Sequence, residues 1–192
     1  MQVKGYRVDN FSYAVIDDYF EPDELLNVHS EIRDLRRLAV PSSYSSIGNH
    51  FENTGGGFFL DDVYQDRVSS PTLSATRKLF TPEVVYLLKK IDVCFNELVF
   101  CNNDRLLVNY YAPGQVYSAH TDSSRLTAVI LLGVGDFSEG GFCFPEYNEK
   151  IEFRQNRLII FPSCVSHSGI PPTGGSEALR ISLVHFIDRI RQ

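Results

Sequence analysis

Between Arg105 and Ile187 the chain packs eight short strand candidates between closely spaced turn signals, and that density rules out most ways of folding it. The candidates are Arg105–Ala112, Val116–Thr121, Arg125–Leu132, Gly141–Phe144, Lys150–Arg154, Arg157–Phe161, Val165–Ser168 and Leu179–Ile187. Pro113-Gly114, Ser123-Ser124, the stretch Gly133 to Gly140, Glu146-Tyr147-Asn148, Gln155-Asn156 and the stretch Pro171 to Gly175 separate them. A doubly wound or ferredoxin-like fold needs helices between strands, and these gaps are too short to hold any. The spacing predicts a mainly β protein whose core is a double-stranded β-helix (jelly roll).

The first half reads differently. Tyr13–Phe20 is a β-rich entry strand stopped by Glu21-Pro22. Pro22 suits a first helical turn, and Asp23 and Glu24 put negative charge at its N-terminus. Leu25, Val28, Ile32 and Leu35 then recur at helical spacing to about Arg37. Thr81-Pro82-Glu83 starts a second helix, with Val84, Leu87, Leu88, Ile91, Phe95 and Leu98 as its apolar stripe to about Phe100. These helices are expected to pack on one sheet of the jelly roll. From Pro41 to about Ser74 periodicity disappears, and long irregular segments are often lids or binding loops. Tyr44, Phe58, Phe59 and Tyr64 would let such a loop grip a substrate, or merely anchor a surface excursion, and His50 is a weak candidate for substrate contact. At 192 residues one domain is expected, with 1–100 as helical support and substrate loop and 101–192 as the jelly-roll core.

The formal charge of −6 and pI near 5.3 match phosphate backbones poorly, so nucleic acid is not an expected partner. Arg33, Arg36 and Arg37, with Arg189 and Arg191 near the end, are too few to reverse this. No apolar run approaches a membrane span, and the first residues lack a signal-peptide apolar region, so no membrane partner is expected. Cys94, Cys101, Cys143 and Cys164 show no paired metal spacing and read as buried thiols in a reducing compartment, which makes the cytoplasm the expected location. The oligomeric state is left open.

His120 and Asp122 lie two apart, on one face if extended, and a bend there would aim both at one ion. Such a pair alone is more often a buried histidine bonded to an aspartate. His167, in a strand that can lie beside them, supplies a third ligand, and two imidazoles with one carboxylate suit non-haem Fe(II) with open positions. Arg180 and Ser182 alternate on the last strand. An arginine pointing into a barrel requires an anion, and a small dicarboxylate would satisfy it with help from the Ser182 hydroxyl and a strand tyrosine. His29 reads as a surface or boundary residue, and His185 as facing away from the metal.

The run Tyr111-x-x-Gly114-x-x-Tyr117-x-x-His120-x-Asp122, then Gly140-Gly141-Phe142-Cys143-Phe144-Pro145-Glu146, Arg157-Leu158-Ile159-Ile160-Phe161-Pro162-Ser163, His167 and Arg180-Ile181-Ser182-Leu183-Val184, resembles the prolyl 4-hydroxylase branch of the Fe(II)/2-oxoglutarate-dependent dioxygenases. The resemblance implies Fe(II) on His120, Asp122 and His167, which are also the catalytic residues, 2-oxoglutarate held by Arg180, O2 as oxidant and ascorbate as reductant. It implies hydroxylation of an unactivated C–H bond, with a peptidyl proline as the first substrate to consider and a free amino acid or small metabolite next. A non-catalytic metal- or ligand-binding jelly roll is the reading from another class. Ser182, Tyr111, Tyr110 and Thr127 are the further cosubstrate candidates; adjacent strand residues face opposite ways, so only one of the two tyrosines can face the cosubstrate, and the family spacing favours Tyr111. Tyr117, Arg125, Phe58, Phe59 and Tyr64 are the substrate candidates. Thirteen positions from His167 to Arg180 exceed the usual spacing in that branch, and an arginine stands where many members carry lysine.

Overall fold

The computed structural model describes residues 2–41 and 55–189. In chain order its strands are β1 (Gln2–Val8), β2 (Phe11–Asp17), β3 (Val40–Pro41), β4 (Gly56–Phe59), β5 (Asn103–Tyr111), β6 (Leu126–Val134), β7 (Phe137–Glu139), β8 (Phe142–Phe144), β9 (Glu149–Ile151), β10 (Arg157–Pro162), β11 (Ser168–Gly169), β12 (Pro172–Gly174) and β13 (Leu179–Asp188). The helices are α1 (Pro22–Asp34), α2 (Pro71–Thr76) and α3 (Pro82–Lys89), joined by short 3-10 turns.

One antiparallel sheet dominates, in the order β1-β2-β10-β6-β13-β5-β4-β3. A smaller sheet, β11-β8-β9, and the pair β12-β7 cover its other side. The protein is thus mainly β with a jelly-roll core and flanking helices. The large sheet is buried on both faces, which is why β6 reads as the nearly unbroken apolar run Leu126–Val134. Ala128, Ile130, Leu132, Ile181, Leu183 and Ile187 face the helices and meet Val28, Ile32, Leu73 and Leu88. Val129, Leu131, Ile159 and Phe161 face the small sheet and meet Phe142, Phe144 and Ile151. Each large apolar side chain fully removed from water contributes about 1.5–3 kcal/mol, so these two layers dominate the fold's stability.

The helices are tied down by charge as well as packing. Glu21 and Glu24 cap α1 reciprocally, and Lys78 reaches Glu24 at 2.6 Å. Behind the sheet, Asp104 accepts from His185 at 2.6 Å and Arg67 at 2.7 Å, and also pairs with Arg77. Because β13 alternates, His185 points into this network and away from Arg180 and Ser182, as expected. His29 is half-buried, with its Nε2 2.7 Å from the Gln155 amide.

Several expectations need correction. The second helix does not run unbroken to Phe100. It stops at Lys89, and the extended Asp92 caps a separate 3-10 segment, Val93–Val99, by accepting from the Cys94 amide. The stretch from 55 to 74 is not irregular: it carries β4, two 3-10 turns and α2, while Tyr44 and His50 lie outside the described residues. Val116–Thr121 forms no strand, because only His120 finds a ladder partner there, bridging to His167. β1, β7 and β12 were not signalled by an apolar alternation. None of the cysteines is fully buried: Cys94, Cys101 and Cys143 are half-buried and Cys164 is exposed. Among the described residues no helix is long and apolar enough to cross a membrane.

Candidate active site

The loop after β5 and the loop before β11 meet at one point. His120 N donates to the His167 carbonyl at 3.0 Å and His167 N donates back at 2.9 Å, while Asp122 N donates to Ser163 O at 2.9 Å. These backbone bonds, rather than a continuous strand, bring the three side chains together. His120 Nε2 lies 3.4 Å from one Asp122 oxygen and His167 Nε2 lies 3.5 Å from the other. One donor atom from each residue falls within 4.8 Å of the others, the footprint of a single ion.

The tautomers fit that use. His120 Nδ1 sits 2.8 Å from Ser118 O and His167 Nδ1 sits 2.9 Å from Val165 O. A carbonyl can only accept, so each Nδ1 carries a proton and each Nε2 is the ring nitrogen left facing the triad. Burial drives the His167 pKa down to about 4, reinforced by His120 and opposed by Asp122, so this ring is neutral at neutral pH. Burial raises the Asp122 carboxyl, but the two imidazoles beside it and the Thr127 hydrogen bond outweigh that and hold it below its ordinary value. Thr127 donates to Asp122 at 2.6 Å and is itself 2.8 Å from Ser163 Oγ. Two imidazoles and an oriented carboxylate fit an octahedral divalent ion such as Fe(II), leaving positions open.

The triad opens on a cavity of about 720 Å³. Its floor is a set of cross-strand pairs between β5 and β13: Tyr111 with Arg180, Asn109 with Ser182, Leu107 with Val184, Arg105 with Phe186 and Asn103 with Asp188. Successive pairs are about 6.6–6.8 Å apart along the sheet. Thr127, which holds Asp122, pairs with Phe186 from the other side, so the triad is anchored toward the Phe186 end of this floor and Arg180 closes the opposite end. Arg180 is 3% exposed. Its Nε donates to Gly140 O at 2.6 Å and one terminal nitrogen to Gly141 O at 3.3 Å, and it lies 5.0 Å over the Tyr111 ring. Burial lowers its pKa and the neighbouring Tyr111 opposes the shift. Among the described residues it has no carboxylate partner. A buried cation without a counter-anion is a costly arrangement that an acidic ligand would relieve.

No family model matches the chain. A protein of Acanthamoeba polyphaga mimivirus, provisionally named a prolyl 4-hydroxylase, is 24% identical over 199 residues, covering 88% of this chain and 76% of its own. The crystal structure of a Pseudomonas putida prolyl-4-hydroxylase superposes with a TM-score of 0.64 at 15% identity, covering 94% of this chain and 95% of that one. The viral collagen prolyl hydroxylase of Paramecium Bursaria Chlorella virus-1, solved as its 2-oxoglutarate complex, gives a TM-score of 0.51 at 16% identity, covering 94% and 99%. This is the fold of the prolyl 4-hydroxylases and related Fe(II)/2-oxoglutarate oxygenases.

On that prolyl-4-hydroxylase-like fold the sequence-derived candidates separate cleanly. His120, Asp122, His167, Arg180, Ser182, Tyr111, Tyr117 and Phe59 all line the cavity, Tyr117 with its ring edge-on to His120 at 4.4 Å. Tyr110 does not: it faces the helices and its hydroxyl donates to Ile32 O. Thr127 belongs to the Asp122 carboxylate rather than to a cosubstrate. Phe58 is buried on the helix side against Tyr110. Tyr64 also packs on that side, beside Glu31. Arg125 pairs with Glu97 at 3.1 Å and does not line the cavity. Each correction has one cause: strand parity, or a nearer partner, takes the side chain away. Sequence reasoning missed Asn109, Leu107, Val184 and Phe186. The first pair lies two and four residues before Tyr111, the second four and six after Arg180, so strand parity was the available signal.

Proposed function

We propose that the protein is an Fe(II)- and 2-oxoglutarate-dependent dioxygenase that hydroxylates an unactivated C–H bond, with a prolyl residue of a peptide or protein as its best-supported substrate. One observation carries the reading: the His120, Asp122 and His167 donors converge on one cavity whose closed end is the buried, carboxylate-free Arg180. His120, Asp122 and His167 would hold the metal, and Arg180 with Tyr111 would hold the far carboxylate of 2-oxoglutarate. When bound, Fe(II), 2-oxoglutarate and O2 supply the C–H oxidation, releasing succinate and carbon dioxide, with ascorbate as the reductant. The chain's own part is placement and exclusion of water. Leu107, Val129, Phe142 and Val184 line the cavity with apolar surface, and the Nδ1–carbonyl bonds stop the two rings from turning.

The named relatives favour a prolyl residue. The cavity volume favours a second reading, a free amino acid or small metabolite, because about 300–1,000 Å³ is the usual size of small-molecule pockets. A cytoplasmic setting accords with four free thiols. The test is 2-oxoglutarate-dependent succinate release with proline-containing peptides and free amino acids offered in parallel. Asp122→Ala is expected to abolish release in either case with an unchanged circular dichroism spectrum. Undiminished succinate from the folded variant would overturn the assignment and leave a non-catalytic binding module as the better account.

A further inference from the structure

The cavity holds a second guanidinium that has no task in the scheme above. Among the described residues that line it, only Arg180 and Arg105 are permanently cationic. Arg105 lies six residues before Tyr111 on β5, about 20 Å along the strand from the Tyr111–Arg180 pair. A small dicarboxylate seated on Arg180 therefore leaves Arg105 to another ligand. Arg105 belongs instead to the neighbourhood of the triad. Phe186 pairs with Arg105 on one side and, on the other, with Thr127, which holds Asp122. Two strand spacings, about 10 Å, separate Arg105 from Thr127.

Its surroundings fix the guanidinium and leave part of it open. β4 pairs Phe59 with Leu107, and the Arg105 guanidinium carbon lies 3.9 Å from the centre of the Phe59 ring. Phe59 and Phe186 approach each other at 6.1 Å, so an aromatic pair flanks the side chain. Nη2 donates to Asp62 at 2.6 Å, and no other nitrogen of the group donates to a described residue. The Asp62 side chain is 64% exposed, so this is a weak surface pair. Asp188, diagonal to Arg105 across the sheet, is taken by Arg125 at 3.9 Å and by the Arg189 amide at 2.7 Å. Asp104 points through to the helix side, where it meets His185 and Arg67. The N–H groups that remain on Arg105 suit the planar, two-oxygen edge of a carboxylate. Glu146 and Asp188 also line the cavity and repel an anion, so Arg105 decides whether one is accepted.

We propose that Arg105 is a specificity-determining residue that selects a substrate bearing a carboxylate close to the carbon that reacts. That carboxylate is either an acidic side chain next to the reacting residue of a peptide or the α-carboxylate of a free amino acid, since both present the same anion. The proposal rests on the dioxygenase reading of the triad. A separation of about 10 Å leaves room for only a few bonds between the reacting carbon and the carboxylate.

The experiment titrates matched probes into protein loaded with Mn(II) and 2-oxoglutarate, read by calorimetry, with succinate release by the Fe(II)-loaded protein measured in parallel. One pair is the end-blocked peptide Gly-Glu-Pro-Gly against Gly-Gln-Pro-Gly, and the other is L-proline against L-prolinamide. The acidic member of one pair should bind about tenfold more tightly, the scale of a hydrogen bond to a charged group. A response in the peptide pair places the carboxylate on a neighbouring side chain, and a response in the proline pair places it on the reacting amino acid. Arg105→Gln, with its fold checked by circular dichroism, should erase the preference by raising KM for the acidic member. Arg105→Glu should turn it toward the end-blocked peptide Gly-Lys-Pro-Gly. Equal behaviour of both members in every pair, absence of binding included, or a preference that survives Arg105→Gln, would overturn the proposal. Titrating 2-oxoglutarate alone into the Mn(II)-loaded wild type separates the two levels. If it does not bind, the dioxygenase reading itself falls; if it binds and the pairs are not told apart, only the role of Arg105 does.

Discussion

Replacing Arg180 by methionine separates ligand recognition from structure. In the free protein the guanidinium is a buried cation whose hydrogen-bond acceptors among the described residues are the Gly140 and Gly141 carbonyls. Methionine keeps most of the volume and removes the desolvated charge, at the cost of leaving those acceptors without their donor. These effects oppose each other, so the ligand-free variant should unfold within about 1–2 kcal/mol of the wild type. Binding is another matter. A bidentate, charge-assisted contact in a dry site is worth about 3 kcal/mol, which raises the dissociation constant for 2-oxoglutarate about a hundredfold. At a concentration of about 100 times the wild-type constant, the ligand stabilises the Mn(II)-loaded wild type by about 2.7 kcal/mol and the variant by only about 0.4 kcal/mol. For a chain of this length that corresponds to about 5–10 °C in Tm against about 1–2 °C. Thermal unfolding with and without 2-oxoglutarate reads this directly. An undiminished ligand-induced shift in Arg180→Met would refute the reasoning, and a ligand-free variant that no longer folds would show that the guanidinium acts as a structural post.

Two further outcomes follow from the hydrogen-bonded surroundings of the site and of the sheet. Thr127→Val removes the 2.6 Å bond to Asp122 and should weaken Mn(II) binding by about ten- to a hundredfold, measured by metal titration with 2-oxoglutarate absent; unchanged affinity would mean that the hydroxyl does not orient the carboxylate. Burial alone would raise the Asp104 carboxyl, but the hydrogen bond and charge of His185 and the guanidiniums of Arg67 and Arg77 hold it well below its ordinary value. A depressed carboxyl contributes stability that is fully present above about pH 4 and disappears as pH falls through its folded value. Asp104→Asn should therefore be less stable than the wild type at pH 7 in urea unfolding, with the gap closing toward pH 2, and a gap independent of pH would remove Asp104 from the acid response.

How much was legible in the sequence follows from the range of each signal. Alternation along β13 is a property of consecutive residues. It correctly sets Arg180 and Ser182 on one face and His185 on the other. The unbroken apolar run of β6 likewise announces burial on both sides. Where a residue's fate depends on a neighbour far along the chain, local pattern fails. Arg125, at the head of a strand candidate, looks free for a substrate, yet Glu97 claims it, and Tyr64 looks like a loop aromatic but packs against the helix-side core. Thr127 looks available to a ligand until Asp122, brought back by the loop before β6, takes its hydroxyl.

The sequence by itself determined the architecture and the chemical inventory, because strand period, turn spacing and the types His120, Asp122, His167 and Arg180 are written residue by residue. Only the tertiary structure decided that Tyr111 and not Tyr110 faces the cavity, since parity needs a known face to refer to. It also decided that Asn109 stands beside Ser182 on a bare strip at Gly57, because that pairing joins three strands distant in the chain. Patterns of period two belong to the chain. Partners belong to the fold, since closing the sheet is what brings β4, β5 and β13 side by side.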